Sequence, residues 1–456
     1  MTGSTSGTDV DEAIRKEEHQ GQDPELANTG EIKREPTLED APDGGIKAWC
    51  VVAGTSFIFF SVLGFSNSFG VFLEYYLKHQ LAHKSPDDIA WIGSLGVFLQ
   101  LFLGVISGPL FDRFGSIVSR LAFAQALFSA LPWVSLQIIR AAIVLYLFAL
   151  MMISLCETYW QFMLAQGVLL GICQGFLTIP GLAAASQYFD KKRAAALGLA
   201  VAGSSIGGVI FPLALSRMLN SSSLGFGWSV RVVGFINMPL LLFSALAVTP
   251  RVPPRKSTFF ILSAFKDPTY VLLIAGLFLG FFGMFMPLFY MPTYAVSKGM
   301  NPTLASYLLA ILNAASTFGR VIPGVLADKL GKLNMFAAAA TCTGIIAFCF
   351  TKVDTNAGLI VYSVIIGFTS GGIVSGAAAA FTLCLQDPRQ LGTYMGMAMS
   401  LASFAALIGG PVNGAFLKGY GGFWEMSIFT AIMSIAGGLV TLCGKFFRPE
   451  GILGKV

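Results

Sequence analysis

Gly108-Pro-Leu-Phe-Asp112-Arg-Phe-Gly115 recurs 216 residues later as Gly324-Val-Leu-Ala-Asp328-Lys-Leu-Gly331. Each copy joins two long apolar runs, so each reads as a tight turn between membrane spans, with glycine allowing the turn. Further out, the same offset pairs Gly64-Phe65 with Gly280-Phe281, and Gly171-Ile-Cys-Gln-Gly175 matches Gly367-Phe-Thr-Ser-Gly371 at an offset of 196. A membrane helix needs about 20 predominantly apolar residues. Such runs lie near 47–73, 88–111, 142–157, 161–188, 194–216 and 228–248. After a polar break at 249–267, six more follow near 268–296, 303–327, 333–351, 357–385, 391–417 and 425–446. The expectation is an all-α membrane protein with 12 transmembrane helices in two pseudo-symmetric six-helix halves. Repeats of this kind mark transporters, with the solute site at the repeat interface near the midplane.

Composition supports the same class. Of 456 residues, 55% are hydrophobic and 12% charged, with 40 Phe and 51 Gly, whereas a soluble domain is about 25% charged. A soluble enzyme is excluded on that ground. Residues 1–45 hold twelve of the 24 acidic residues and four of the 29 basic ones, so the rest of the chain is strongly cationic. The first 45 residues carry no aromatic side chain and read as a disordered acidic cytoplasmic tail. The seven cysteines lie in or beside apolar runs with no CxxC pair. The three histidines, His19, His79 and His83, fall outside the span interiors, so neither a metal site nor a cofactor is expected.

Basic residues in the loops set the orientation. Arg113, Lys191 to Arg193, Arg251, Arg255, Lys256, Lys266, Lys329, Lys332 and Arg389 lie on one side; Lys78, Lys84, Lys298, Lys352 and Lys418 lie on the other. The first side is therefore expected to be cytoplasmic, together with both termini. The expected order is a tail (1–45), a first half (46–248), a cytoplasmic linker (249–267), a second half (268–447) and a short cytoplasmic tail (448–456). The change of offset gives the first half about 20 extra residues within 116–141. That segment reads as an over-long third element, a re-entrant stretch or a translated intron.

Two sets of residues carry the expected chemistry. Asp112, Arg113, Asp328, Lys329 and Arg193 sit at the basic ends of spans, where a carboxylate can engage a cation or a helix N-terminus across the halves. They are the gating candidates. Arg320 lies eight residues before Asp328, about 12 Å into the membrane. An intramembrane arginine faces a cavity or a partner, and its planar fork suits a carboxylate. The alternative is an arginine held by backbone carbonyls. Asn67, Asn313, Tyr290 and Tyr294 are further candidates for contact with solute, or else interhelical bonds and interface anchors.

These features resemble the major facilitator superfamily and, more narrowly, the fungal branch of the monocarboxylate porter family. Asp43-Gly44-Gly45-Ile-Lys-Ala-Trp49 resembles the signature that opens the family's first span. Tyr188-Phe189-Asp-Lys191-Lys192-Arg193 through Gly203 resembles the one entering its fifth. Ala195 departs from it, since the family usually has leucine there. The resemblance implies the major facilitator fold, alternating access and a substrate-binding role for Arg320. It also implies an aspartate one turn earlier, where this chain has Ser316, and a lysine late in the first span, which is absent. The expected function is secondary transport of a small organic anion or carboxylated secondary metabolite, with efflux favoured. Proton-linked monocarboxylate uptake and a transport-inactive membrane sensor are the rival readings. The expected partners are the solute and the lipid bilayer, not nucleic acid, with protons and an accessory membrane protein left open. The expected location is the plasma membrane, with a vacuolar or other endomembrane as the alternative.

Overall fold

The computed structural model describes residues 41–114, 138–221, 223–252, 260–385, 387–420, 422–449 and 451. All regular elements among them are helical. In the first half, α1 (Ile46–Ser66) and α2 (Phe69–Lys78) form one span broken at Asn67–Ser68. α3 (Pro86–Phe102) and α4 (Gly104–Phe114) form the second, interrupted at Leu103. α5 (Ile138–Ile153) is the third. The fourth runs through α6 (Tyr159–Phe162), a π-helical segment (Met163–Leu169) and α7 (Leu170–Ser186). α8 (Arg193–Ser221) and α9 (Gly225–Ala247) complete this half. The second half comprises α10 (Pro268–Ser297), α11 (Pro302–Leu330), α12 (Lys332–Phe348), α13 (Asn356–Ala380), α14 (Leu391–Tyr420) and α15 (Trp424–Cys443).

Among the described residues, eleven helical stretches are long and apolar enough to cross a membrane, and α5 is a shorter apolar helix. The third span begins earlier than the run from 142 suggested, because Ile138 to Arg140 are already helical. Arg140, near the end of the 116–141 segment, donates from Nε to the Ala245 carbonyl at 2.9 Å. That carbonyl lies in the last turn of α9, where backbone acceptors have no helical partner. Residues 115–137, which hold most of the expected surplus, lie outside the described residues. So do 1–40 of the tail, 253–259 of the linker and 452–456.

Local chemistry sets several helix starts. Ser85 and Asp88 cap each other reciprocally before α3, Asp267 accepts from Thr269 N ahead of α10, and Thr355 accepts from Gly358 N ahead of α13. Gly331, at φ 101°, makes the turn from α11 to α12. α1 packs on α8 and α9, and α7 on α3 and α5; α11 packs on α13, α10 on α14 and α15, and α12 on α13 and α15. The glycine repeat explains one pair of contacts. A Cβ on Gly171 or Gly175 would lie 2.9 or 3.0 Å from the carbonyls of Gly96 and Gln100. Gly367 and Gly371 press in the same way on the carbonyls of Leu312 and Ser316. The repeated glycines thus seat the fourth span on the second and the tenth on the eighth. Between the halves, α8 lies along α11, and α14 lies along α3 and α4.

A sealed cleft between the halves as candidate site

Two carboxylates close one end of the interface. Asp112, at the end of α4 and 4% exposed, accepts from Gly392 N at 3.2 Å, Thr393 N at 2.5 Å and Thr393 Oγ1 at 2.7 Å. Asp328, at the end of α11, accepts from Ala194 N at 3.0 Å and Ala195 N at 2.9 Å. Both acceptors therefore cap the free N–H groups of the first turn of a helix in the opposite half, α14 and α8, where the helix dipole also favours negative charge. Glycines permit this closeness. A Cβ on Gly108 would overlap the Gly392 carbonyl, one on Gly396 would overlap that of Gly104, and one on Gly198 would lie 2.6 Å from that of Arg320.

The expected cations take other places. Arg193, 8% exposed, donates from Nε to Phe189 O at 2.8 Å and from Nη2 to Asp190 Oδ1 at 3.0 Å, bracing its own turn. Lys329 is exposed and forms no ion pair with either carboxylate among the described residues. The side chain of Arg113 lies outside the described residues. Lys332, at the start of α12, donates to Thr382 Oγ1 at 2.9 Å. The two signature stretches meet beside this seal. Asp43 Oδ1, on a residue at φ 46°, accepts from Asp190 N at 2.7 Å and Lys192 N at 3.4 Å. The Trp49 ring packs edge-on against Phe189 with centroids 5.1 Å apart.

Above the seal, Arg320 crosses the interface. The residue is 8% exposed; Nη1 donates to Val201 O at 3.1 Å and to Ser204 Oγ of α8, while Nε has no hydrogen-bond partner among the described residues. Asn313 lies two turns further along α11 and donates to Leu309 O at 3.0 Å. A Cβ on Gly208 of α8 would lie 2.7 Å from Asn67 Nδ2 and 2.9 Å from Asn313 Oδ1. Asn67, at the break in the first span, Asn313 and Arg320 therefore share one cleft with α8. Asn67 is exposed and stands beside Gly208 on the side that Asn313 of the other half also approaches.

The tyrosines stand apart. Tyr294, 2% exposed, donates to Val353 O at 3.0 Å and packs on Phe350 and Phe423 with centroids 4.4 and 5.1 Å away. It belongs to an apolar cluster inside the second half, so the structure does not bring it to Arg320. Tyr290 is half-buried with its hydroxyl against Gly414 of α14. Ser316, 3% exposed, turns toward Gly371 of α13. Sequence reasoning missed Ser204 and the Val201 carbonyl as partners of Arg320, and missed Gln166 and Tyr76, which bond each other at 2.8 Å. Intramembrane glutamine was the available signal for the last pair. Among the described residues no group of three or more His, Cys, Asp or Glu could hold a metal.

A helical bundle of two repeated halves, closed at one end by paired helix caps around a polar cleft, is the architecture of an alternating-access transporter. Residues 55–410 match the model of the Major Facilitator Superfamily, and the chain belongs to that family. It is a multi-pass membrane transporter of small solutes and not an enzyme. It is 45% identical over 416 residues to the aspyridones efflux protein apdF of Emericella nidulans, covering 91% of this chain and 81% of that one. It is 37% identical over 436 residues to the agnestins efflux protein AgnL12 of Paecilomyces divaricatus, covering 94% and 93%. Among solved structures, the transporter FucP in its outward conformation superposes with a TM-score of 0.64 at 15% identity, covering 87% of this chain and 98% of FucP. The human organic anion transporter MFSD10 (TETRAN) gives 0.65 at 12% identity, covering 87% and 100%. At these identities the two structures establish the fold alone.

Proposed function

We propose that the protein exports acidic secondary metabolites across the plasma membrane, as a member of the monocarboxylate porter branch, with its basic face and both termini in the cytoplasm. The observation that carries this reading is the buried guanidinium of Arg320, which ties the two halves together through neutral acceptors and whose Nε has no hydrogen-bond partner among the described residues. A solute carboxylate is a stronger, bidentate acceptor than a carbonyl and a hydroxyl. Binding an acid there frees α8 from α11, and the solute itself loosens the interface. Asp112 and Asp328 latch the basic face in the state described, and their release opens it. Asn67 and Asn313 line the same cleft and orient polar groups of the solute.

The efflux names of the two relatives support the direction. Among the described residues no aspartate or glutamate lies beside Arg320, and Ser316 occupies the place where the family's proton-coupled members have an acid. Uniport or exchange fits this site, and any proton route runs through Asp112 or Asp328. The test is efflux of a panel of aromatic and polyketide acids from cells expressing wild type, Arg320→Lys or Arg320→Ala at equal membrane levels. Efflux of acids should fall more than tenfold in Arg320→Ala and substantially in Arg320→Lys, which lacks the fork. Undiminished efflux in Arg320→Ala sinks the role given to this residue.

A further inference from the structure

The fourth span is π-helical over Met163–Leu169, with Gln166 at the centre of the segment. A π segment inserts a residue into the helix and occurs frequently at functional sites. Tyr76, fully buried in α2, donates to Gln166 Oε1 at 2.8 Å. Gln166 is itself 5% exposed, and its amide nitrogen makes no hydrogen bond among the described residues. That side chain lines a crevice of about 30 Å³ between the first, second and fourth spans. At the inner end of the crevice, Gln174 is satisfied, donating to Ser66 Oγ at 3.1 Å and to Val62 O at 3.4 Å. The crevice therefore has one closed polar end and one end where the Gln166 amide nitrogen has no hydrogen-bond partner among the described residues.

Two features connect the crevice to the cleft. Gly93 of α3 leaves space that the Phe69 ring partly fills, since a Cβ there would lie 2.5 Å from Phe69 Cδ1. Phe69 opens α2 directly after the break in the first span. The break sets Ser66 against Gln174 on one side and Asn67 against Gly208 on the other, where Asn313 approaches the same glycine. A polar track thus runs from Gln174 through Ser66 and Asn67 to the α11 face that carries Arg320.

We infer that this crevice is a second recognition point for the transported solute, at which the Gln166 amide donates to a neutral oxygen acceptor. A volume of about 30 Å³ admits one or two water-sized groups, so the group taken is a single carbonyl, hydroxyl or ether oxygen, not a ring. The inference rests on the chain moving a solute through the cleft. It does not depend on Arg320 binding the acid.

The test uses the full chain, purified into lipid nanodiscs, and matched probes: 2-naphthoic acid, its 6-hydroxy and 6-methoxy derivatives, and the three corresponding carboxamides. Wild type should bind the oxygenated members about five- to tenfold more tightly than the plain ones, as one neutral hydrogen bond allows. Gln166→Met should abolish that preference. Tyr76→Phe, which leaves the amide in place, should keep it. The double variant Tyr76→Phe/Gln166→Met, which leaves no buried hydroxyl orphaned, should lose it while retaining a normal melting temperature. Equal affinities across the pairs in wild type overturn the inference, as does failure of every probe to bind. A crevice that holds only ordered water gives the first of these results. A preference that survives in the double variant overturns it too. If acids and amides bind alike while the oxygen preference holds, the acid-binding role of Arg320 fails and this inference stands.

Discussion

Replacing Asp112 with asparagine retains the shape and one acceptor oxygen but removes the charge. This carboxylate accepts two backbone N–H groups and a hydroxyl at the first turn of α14. Hydrogen bonds to a charged group contribute about 1.5–3 kcal/mol against about 0.5–1.5 for neutral ones, and the helix terminus adds about 0.3–1 kcal/mol. Allowing for the two acceptor sites that asparagine keeps, the seal weakens by about 2 kcal/mol. At 1.4 kcal/mol per decade, that moves the closed-to-open equilibrium about 30-fold. Ala327, 1% exposed at the end of α11 in a small cluster with Ala194, reports on the seal. In a background free of native cysteine, Ala327→Cys should react with a membrane-impermeant thiol reagent from the basic face in proportion to the open population. Asp112→Asn should raise that rate about 30-fold, and Thr393→Val, which removes only the hydroxyl, by a few-fold. An unchanged rate in folded Asp112→Asn protein refutes the helix-capping latch.

Three further outcomes are expected. Gly108→Val places a branched side chain on the Gly392 carbonyl, so the basic face cannot close. Transport should be lost while the protein still reaches the membrane, with the Ala327→Cys site permanently reactive. Asp43→Ala removes the acceptor for Asp190 N and Lys192 N. By analogy with a helix N-cap it should cost about 1 kcal/mol, read as a lower midpoint of thermal denaturation. Burial pushes the Cys156 thiol up to about 11, and the thiolate is the reactive form. Its alkylation should therefore keep rising about tenfold per pH unit between pH 8 and 10, and a rate that levels off near pH 9 would contradict this.

The span layout and the two halves were legible because apolar runs and a repeated loop are properties of residue type and spacing. The contacts of Asp112 and Asp328 were legible only in part. Their partners are the backbone N–H donors of Gly392, Thr393, Ala194 and Ala195, which belong to no side chain, so of the two partners expected, a cation or a helix N-terminus, residue type could name only the cations Arg193 and Lys329. Arg320 stood out through the cost of placing a charge in a membrane, yet its partners, the Val201 carbonyl and the Ser204 hydroxyl of α8, lie 119 and 116 residues away in sequence. Tyr294 reads from composition as a cleft residue, but helix rotation turns it into the core of the second half. The π segment around Gln166 and the break at Asn67 were hidden because a slipped hydrogen-bond ladder leaves the apolar pattern nearly unchanged.

The central claim is that an acid at Arg320 loosens the two halves. Spin labels at Lys191 and Lys329, both exposed at the basic face, would report the distance between α8 and α11 by double electron–electron resonance in nanodiscs. With 6-methoxy-2-naphthoic acid the wild type should shift toward a longer distance, its carboxamide should leave the distribution unchanged, and Arg320→Ala should not respond to either. An equal shift in Arg320→Ala, or one produced equally by the carboxamide, would contradict the account.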